Sequence, residues 1–180
     1  GWEETFDGDD YLVYGLDRAW LLEHPESKSW SRGEQYRIVN QYGGCVVQAH
    51  PFRQHFYIPV VRLSSGCVNA VEAANAGNHE QSYDALAMRY AEKLALPATA
   101  GSDIHTVDQL NNGNIFGIIL NEKMKTIADY VAAIKKNNIA GLRITEGRCD
   151  YYGDERVSLP VDIRNKNDKS TGMSLDEFFE

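Results

Sequence analysis

The segment Cys45–Arg53, with the sequence CVVQAHPFR, places a short apolar run directly before a histidine and a proline. A second segment of the same plan, Ala98–His105 (ATAGSDIH), ends in Ser-Asp-Ile-His. Short apolar runs that lack strict alternation are typical of buried strands in a parallel sheet. Functional groups in parallel α/β folds collect just after the carboxyl ends of the strands. We therefore expect His50, Asp103 and His105 to lie at one end of a common sheet.

The rest of the chain alternates between segments with strand-like and helix-like patterns. The predicted strands are Tyr11–Leu16, Cys45–Ala49, Val68–Ala73, Ala98–Gly101, Ile115–Leu120 and Leu142–Thr145. The predicted helices are Ser31–Tyr42, which opens with a capping-box spacing, His79–Leu94, Thr126–Asn137 and Ser174–Phe179. This alternation predicts an α/β fold with parallel strands covered by helices.

Composition and charge narrow the class of protein. A chain of 180 residues fits a single domain, and no apolar run approaches the ~20 residues of a membrane helix. The net charge of -8 disfavours nucleic acid as a partner without excluding it. Three cysteines without a CxxC pair favour a reduced, cytoplasmic setting, and no signal-peptide pattern opens the chain.

Asp103 and His105 stand two residues apart, so an extended backbone would point both side chains to the same side. That spacing suits two ligands of one metal ion or of adjacent ions. The alternative for each histidine is an ordinary strand-end residue that only forms hydrogen bonds. The residues by themselves leave both interpretations open.

Two strings resemble metal-binding motifs of the PHP family, the polymerase and histidinol phosphatase domains. They are Gln48–Arg53 (QAHPFR) and Ala100–His105 (AGSDIH), and the opening Gly1-Trp2-Glu3 is similar to the family's Gly-x-Glu strand end. The resemblance spans roughly residues 1–145 and implies a distorted (β/α)7 barrel. It makes Glu3 a carboxylate ligand, with Glu4 as the alternative.

The chain departs from the family pattern because it contains no His-x-His, with which members of the family begin. His24 is then the candidate for the family's intermediate histidine ligand. Because the chain also opens with Gly rather than Met, we expect a fragment or truncated product. The fold expected is an incomplete or distorted TIM-like barrel over residues 1–149, followed by a polar tail or small subdomain over 150–180. Exposed edge strands of such a barrel would favour a homodimer.

The resemblance implies a metal-dependent phosphoesterase with two or three divalent ions, and its mixed ligands suit zinc, manganese or iron. The implied metal ligands are Glu3, His24, His50, Asp103 and His105, of which Asp103 and His105 are also catalytic. The candidate substrate-binding residues are Arg53, Asn75 and Arg143; a solvated surface position is the alternative for each arginine, and an Asn-Ala-Gly turn explains Asn75 equally well. The expected substrate is a small phosphomonoester, a nucleotide or an oligonucleotide end, and the acidic charge favours the small molecules.

Two other interpretations compete with the phosphoesterase. A degenerate, non-catalytic metal-binding scaffold is favoured by the lack of His-x-His. An amidohydrolase-like barrel also uses His and Asp ligands, but no lysine in a matching strand is a candidate to bridge its metals. For Glu72, inside the third predicted strand, we expect a structural salt bridge rather than a role in the site.

Overall fold

The computed structural model describes residues 1–111 and 115–180 and contains, within them, nine strands and six α-helices. In chain order the elements are β1 (Trp2–Phe6), β2 (Asp9–Tyr14), α1 (Arg18–Glu23), a 3₁₀ helix (Pro25–Ser29), α2 (Arg32–Gln41), β3 (Cys45–Gln48), β4 (Val61–Ser64), β5 (Ala70–Asn75), α3 (Gln81–Lys93), β6 (Ala98–Gly101), α4 (Val107–Asn111), β7 (Gly117–Leu120), α5 (Ile127–Lys135), β8 (Ile139–Arg143), β9 (Val161–Arg164) and α6 (Leu175–Phe179). No described helix has both the length and the apolar character needed to cross a membrane.

The predicted elements are present; the strand Ala98–Gly101 has the predicted bounds, and the others have shifted ends. The helix expected at Ser31–Tyr42 is α2, and Ser31 and Glu34 form the capping box that its spacing indicated. The helices expected at His79–Leu94 and Thr126–Asn137 are α3 and α5. Sequence patterns did not indicate β1, β4 and β9, the last two being short strands that pair with each other across the chain.

The central sheet has five strands in the order β1-β2-β3-β5-β6. The pairs β3–β5 and β5–β6 are parallel, whereas β1–β2 and β2–β3 are antiparallel. β1 and β2 are joined by Asp7 and Gly8, whose φ angles of 51° and 98° give the left-handed backbone of a tight hairpin turn.

The expected TIM-like barrel, complete or incomplete, is wrong. Within the described residues none of the sheets closes: β1 and β6 are the edges of the central sheet, β4 pairs with β9, and β7 pairs with β8. β7 and β8 pair in antiparallel orientation and form a separate two-stranded sheet. The parallel part of the central sheet therefore ends at β6. Apolar strand patterns indicate burial on both faces, which an open sheet between helices satisfies as well as a barrel does.

Helices cover both faces of the central sheet. On one face, Tyr11, Val13 and Val46 pack with Val39 of α2, and Val71 packs with Tyr90 of α3. On the other face, Cys45, Val47 and Ala70 pack with Val131 and Ile134 of α5. These sets follow the register, because Val13 stands opposite Val46 and Val47 stands opposite Ala70.

Residues 150–180 contribute to this core. β9 pairs in parallel with β4, and Ile163 is buried beside Leu63. Phe178 of α6 packs against Tyr90, with ring centroids 5.8 Å apart.

Candidate metal centre

The β1–β2 hairpin places acidic side chains on the sheet face that α5 covers farther along. Glu3 stands opposite Leu12, and Thr5 stands opposite Asp10, so the side chains of these residues share one face. The Thr5 hydroxyl donates a hydrogen bond to Asp10 Oδ1 over 2.5 Å. The tight turn therefore brings Glu3 and Asp10, seven residues apart in sequence, to the same region.

His50 follows the end of β3 and joins this acidic pair. The Ala49 amide donates to the Asp10 carbonyl, which continues the β2–β3 pairing up to the histidine. His50 is buried, and its φ of 25° turns the chain sharply at the strand end. Its Nε2 lies 3.6 Å from Asp10 Oδ2. One ligand atom from each of Glu3, Asp10 and His50 lies within 4.8 Å of the other two, a group that could hold a metal ion.

The electrostatics of this group fit a cation. The Glu3 side chain is exposed, but partial desolvation, together with the charges of Asp10 and Asp103, raises its pKa. Burial also raises the pKa of Asp10, despite the hydrogen bond from Thr5. Burial and the neighbouring charge of Arg53 lower the pKa of His50 to about 4, so its imidazole is neutral at pH 7 and keeps a lone pair for a ligand bond. Crowded carboxylates beside a neutral imidazole are stabilised by a divalent ion.

The buried Glu72 carboxylate binds the backbone of His50. It is 5% exposed, and its Oε2 accepts hydrogen bonds from the His50 amide (3.0 Å) and from Asn75 Nδ2 (2.9 Å). Burial raises its pKa to about 7. The structural salt bridge expected for Glu72 is absent within the described residues. A side chain at Gly101 would overlap the Glu72 carboxylate, which explains the glycine before Ser102.

Arg53 and Asp103 form an ion pair next to the acidic group. Arg53 Nη2 lies 2.7 Å from Asp103 Oδ2 and 2.8 Å from Asn75 Oδ1, and Nε donates to Asn78 Oδ1 over 2.8 Å. Burial opposes the charge of Asp103, but the hydrogen bond and charge of Arg53 outweigh it and lower the pKa of Asp103. Asp103 is therefore ionised at neutral pH, in a left-handed backbone conformation with φ of 50°.

His105 lies at the open side of this pair, and its side chain is 74% exposed. Its Nδ1 is 2.9 Å from the Asp103 carbonyl oxygen, which can only accept, so Nδ1 carries the proton. With a proton on Nδ1, Nε2 is the ring nitrogen that remains available on this exposed side chain. A cleft of about 400 Å³ lies here, with Arg53, Asn78, Asp103 and His105 among its lining residues.

Two predicted residues lie apart from this group. His24 stacks on Trp20 with ring centroids 4.1 Å apart, and its Nδ1 is 2.8 Å from the Trp20 carbonyl oxygen. Arg143 is exposed at the end of β8, opposite Gly117. Across residues 1–111 and 115–180, no hydrogen bond or ion pair joins either residue to Glu3, Asp10 or His50.

Glu4, the alternative to Glu3, stands opposite Tyr11 and accepts a hydrogen bond from Trp2 Nε1 (3.3 Å). Its side chain is thus on the other face of the hairpin from Asp10. The hairpin register therefore places the two adjacent glutamates on opposite faces, and of the two only Glu3 lies beside Asp10 and His50.

Sequence reasoning missed Asp10. A signal was present, because Asp7-Gly8 is a two-residue hairpin turn and the position of Asp10 across that turn places it beside Thr5 and Glu3. An acidic residue directly before the apolar run Tyr11–Leu16 is otherwise ordinary, and the pairing partner of that run was unknown.

Comparison with known proteins adds one match. A family model described as PHP-associated matches residues 83–139, less than half of the chain, from α3 to the start of β8. The matched region contains the Asp103 and His105 motif. The comparisons with curated proteins and with solved structures gave no match. The family-model match is consistent with the PHP resemblance and covers one of the two motifs that carry it, Ala100–His105, but not Gln48–Arg53.

Proposed function

We propose that this chain hydrolyses a phosphate ester with the help of a divalent metal ion held by Glu3, Asp10 and His50. The observation that carries the proposal is the convergence of these three ligand atoms within 4.8 Å, beside the guanidinium of Arg53. The PHP-associated match supports the same chemistry, since the resemblance implies a metal-dependent phosphoesterase.

One imidazole and two carboxylates favour zinc, manganese or iron over calcium, which prefers six to eight oxygen ligands. When bound, such an ion supplies Lewis-acid polarisation of a phosphate oxygen and lowers the pKa of a bound water. The neutral state of His50 and the raised pKa values of Glu3 and Asp10 are consistent with ligands that gain stability from the ion.

Arg53 is the proposed phosphate-binding residue. Its Nε and Nη2 are occupied by Asn78, Asn75 and Asp103, whereas Nη1 has no hydrogen-bond partner within the described chain. Because a guanidinium fixed on one edge loses little freedom on binding, Nη1 is well prepared to donate to a phosphate oxygen. Asn75 acts by holding this edge of the guanidinium.

Asp103 and His105 are the proposed catalytic residues. With Nδ1 committed to a carbonyl oxygen, His105 Nε2 can accept the proton of an attacking water. The ionised Asp103 carboxylate lies 3.6 Å from His105 Nδ1 and stabilises the positive charge that the ring then acquires. Arg53, Asp103 and His105 line a cleft of about 400 Å³, a size that suits a small ester such as a phosphomonoester or nucleotide, whereas Glu3, Asp10 and His50 are not among its described lining residues.

A non-catalytic metal-binding scaffold is the second candidate. The ion pair between Asp103 and Arg53 favours it, because Asp103 is engaged by the arginine and lies outside the three-residue group. The exposure of His105 points the same way, since an exposed ring is less well fixed for proton transfer.

The first test is the metal content of chelator-free protein, followed by Mn²⁺ titration and hydrolysis of p-nitrophenyl phosphate. Wild-type protein should bind Mn²⁺ at least stoichiometrically, and His50→Ala should lose most of this binding because a buried ligand is removed. His79→Ala, an exposed histidine outside the group, is the matched control and should bind normally. Arg53→Ala should keep its metal and show a KM for the ester raised about tenfold.

Unchanged metal binding in His50→Ala would contradict the centre. Normal metal binding without turnover of any phosphomonoester in a panel would favour the scaffold.

A further inference from the structure

The two asparagines that hold Arg53 are themselves attached to Asp84 of α3. Asn78 Nδ2 donates to Asp84 Oδ1 over 2.6 Å, and the backbone N–H of Asn75 donates to the same oxygen over 3.2 Å. Because an ionised carboxylate only accepts, Asn78 must turn its amino group toward Asp84 and its carbonyl oxygen toward Arg53. Asp84 therefore determines which way the Asn78 amide faces.

Arg148 compensates the charge of Asp84, whose side chain is completely buried. The Arg148 Nε donates to Asp84 Oδ2, and the Arg148 Nη2 donates to the backbone carbonyl oxygen of Asn78 over 2.8 Å. The guanidinium also lies 5.8 Å from the centroid of the Phe116 ring. A buried carboxylate is stable only with such a partner, so the two residues act as a unit.

Neither Asp84 nor Arg148 is among the described residues that line the cleft. The hydrogen bonds that link this pair to the cleft run through Asn75, Asn78 and Arg53. This order of contacts distinguishes the pair from a residue that touches the ligand.

We propose that Asp84 and Arg148 form a positioning pair that fixes Asn75 and Asn78 and so aims Arg53 into the cleft. The consequence for phosphate binding rests on the proposed phosphoesterase function, whereas the control of Arg53 geometry does not. Asp84 lies within the PHP-associated match and Arg148 lies outside it, so the pair joins the matched region to the turn after β8.

The test is Asp84→Asn in the full chain. In the wild type, one carboxylate oxygen of Asp84 accepts from Arg148 and the other accepts from Asn78. An asparagine has only one acceptor oxygen, so its amino group must face one of these two donors. The Asn78 amide then loses its fixed orientation. In metal-free protein, solvent exchange of the Arg53 Nε–H proton, followed by ¹⁵N NMR, should become about tenfold faster. The matched control is Asp168→Asn, which breaks a 2.6 Å contact to Arg164 outside this network and should leave Arg53 exchange unchanged.

If Asp84→Asn fails to fold, Arg148→Lys decides the question, since it keeps the charge but loses the forked contacts to Asp84 and Asn78. An Arg53 exchange rate equal to wild type in the folded variant would overturn the proposal. A faster rate in the variant, but not in Asp168→Asn, would support it.

Binding of inorganic phosphate to Mn²⁺-loaded protein separates this proposal from the proposed function. If both hold, Asp84→Asn weakens phosphate binding about tenfold in parallel with the exchange rate. If wild-type protein binds no phosphate and hydrolyses no ester while Arg53 exchange still responds, the phosphoesterase fails and the positioning pair stands.

Discussion

Asp9 and Asp10 are adjacent in sequence, yet they have opposite environments. Asp9 points into the core, where both its oxygens accept from Arg32 and Oδ2 also accepts from the Tyr11 hydroxyl. Asp10 points to the other face, toward Glu3 and His50. The period of two along a strand thus assigns one carboxylate to stability and the next to the candidate metal centre.

At the residue scale, Asp9→Asn should lower the free energy of unfolding by about 3 kcal/mol, because it removes the charge of the nearest carboxylate to the buried Arg32 guanidinium and leaves only those of Asp168 and Asp7, 3.8 and 3.9 Å away. Asp7→Asn is the matched control, since Asp7 lies 3.9 Å from the same guanidinium but its side chain is 77% exposed. It should change the free energy by no more than about 0.5 kcal/mol. Urea unfolding measures both values, and equal losses would contradict this account of the Arg32 pair.

At the element scale, the β1–β2 hairpin determines the candidate centre because it carries two of the three ligands. Its turn residue Gly8 has φ of +98°, and an added Cβ would lie 3.3 Å from Pro59 Cδ. The conformation of this single turn therefore sets the register that brings Glu3 and Asp10 together.

Gly8→Ala should lower the free energy of unfolding by about 1–2 kcal/mol, because alanine is strained at this positive φ. It should also weaken Mn²⁺ binding, because the strained turn shifts β1, which carries Glu3, relative to β2, which carries Asp10. The control is Gly141→Ala in β8, where an added Cβ meets no atom within 4 Å. Calorimetry of Mn²⁺ binding together with thermal unfolding measures both effects. Tight Mn²⁺ binding in Gly8→Ala would show that the hairpin register is not what positions the ligands.

At the scale of the whole molecule, burial of ionisable groups makes the fold sensitive to alkaline pH. Burial raises the pKa of Cys45 to about 11, and burial together with the charge of Asp84 raises that of Cys149 to about 12. A thiol whose folded pKa exceeds its unfolded value favours the folded state only while it stays protonated. This stability is complete below the unfolded value near 9.0 and is lost as the pH rises toward 11–12.

Urea midpoints should consequently fall between pH 8.5 and pH 11, by the linkage relation. Cys45→Ala should start from a lower midpoint, since it leaves a small cavity, but should show a shallower decline with pH. A decline of equal slope in both proteins would exclude Cys45 as a source of the alkaline sensitivity.

The positions of most elements and of the ligand-bearing strand ends could be predicted from the sequence. Helix periodicity, the caps at Ser31 and Thr126, and the apolar runs before His50 and Asp103 are local signals. Local signals suffice there because caps and side-chain periods depend on neighbours within a few residues.

Tertiary structure alone decided that the sheet stays open and that Asp10, rather than a predicted ligand, completes the group with Glu3 and His50. It also decided that Asp84 and Arg148, 64 residues apart, form an ion pair next to the asparagines that bind Arg53. These outcomes depend on which strands pair, in which direction and in which register. Strand pairing is set by contacts between residues far apart in sequence, and an apolar strand carries no mark of its partner.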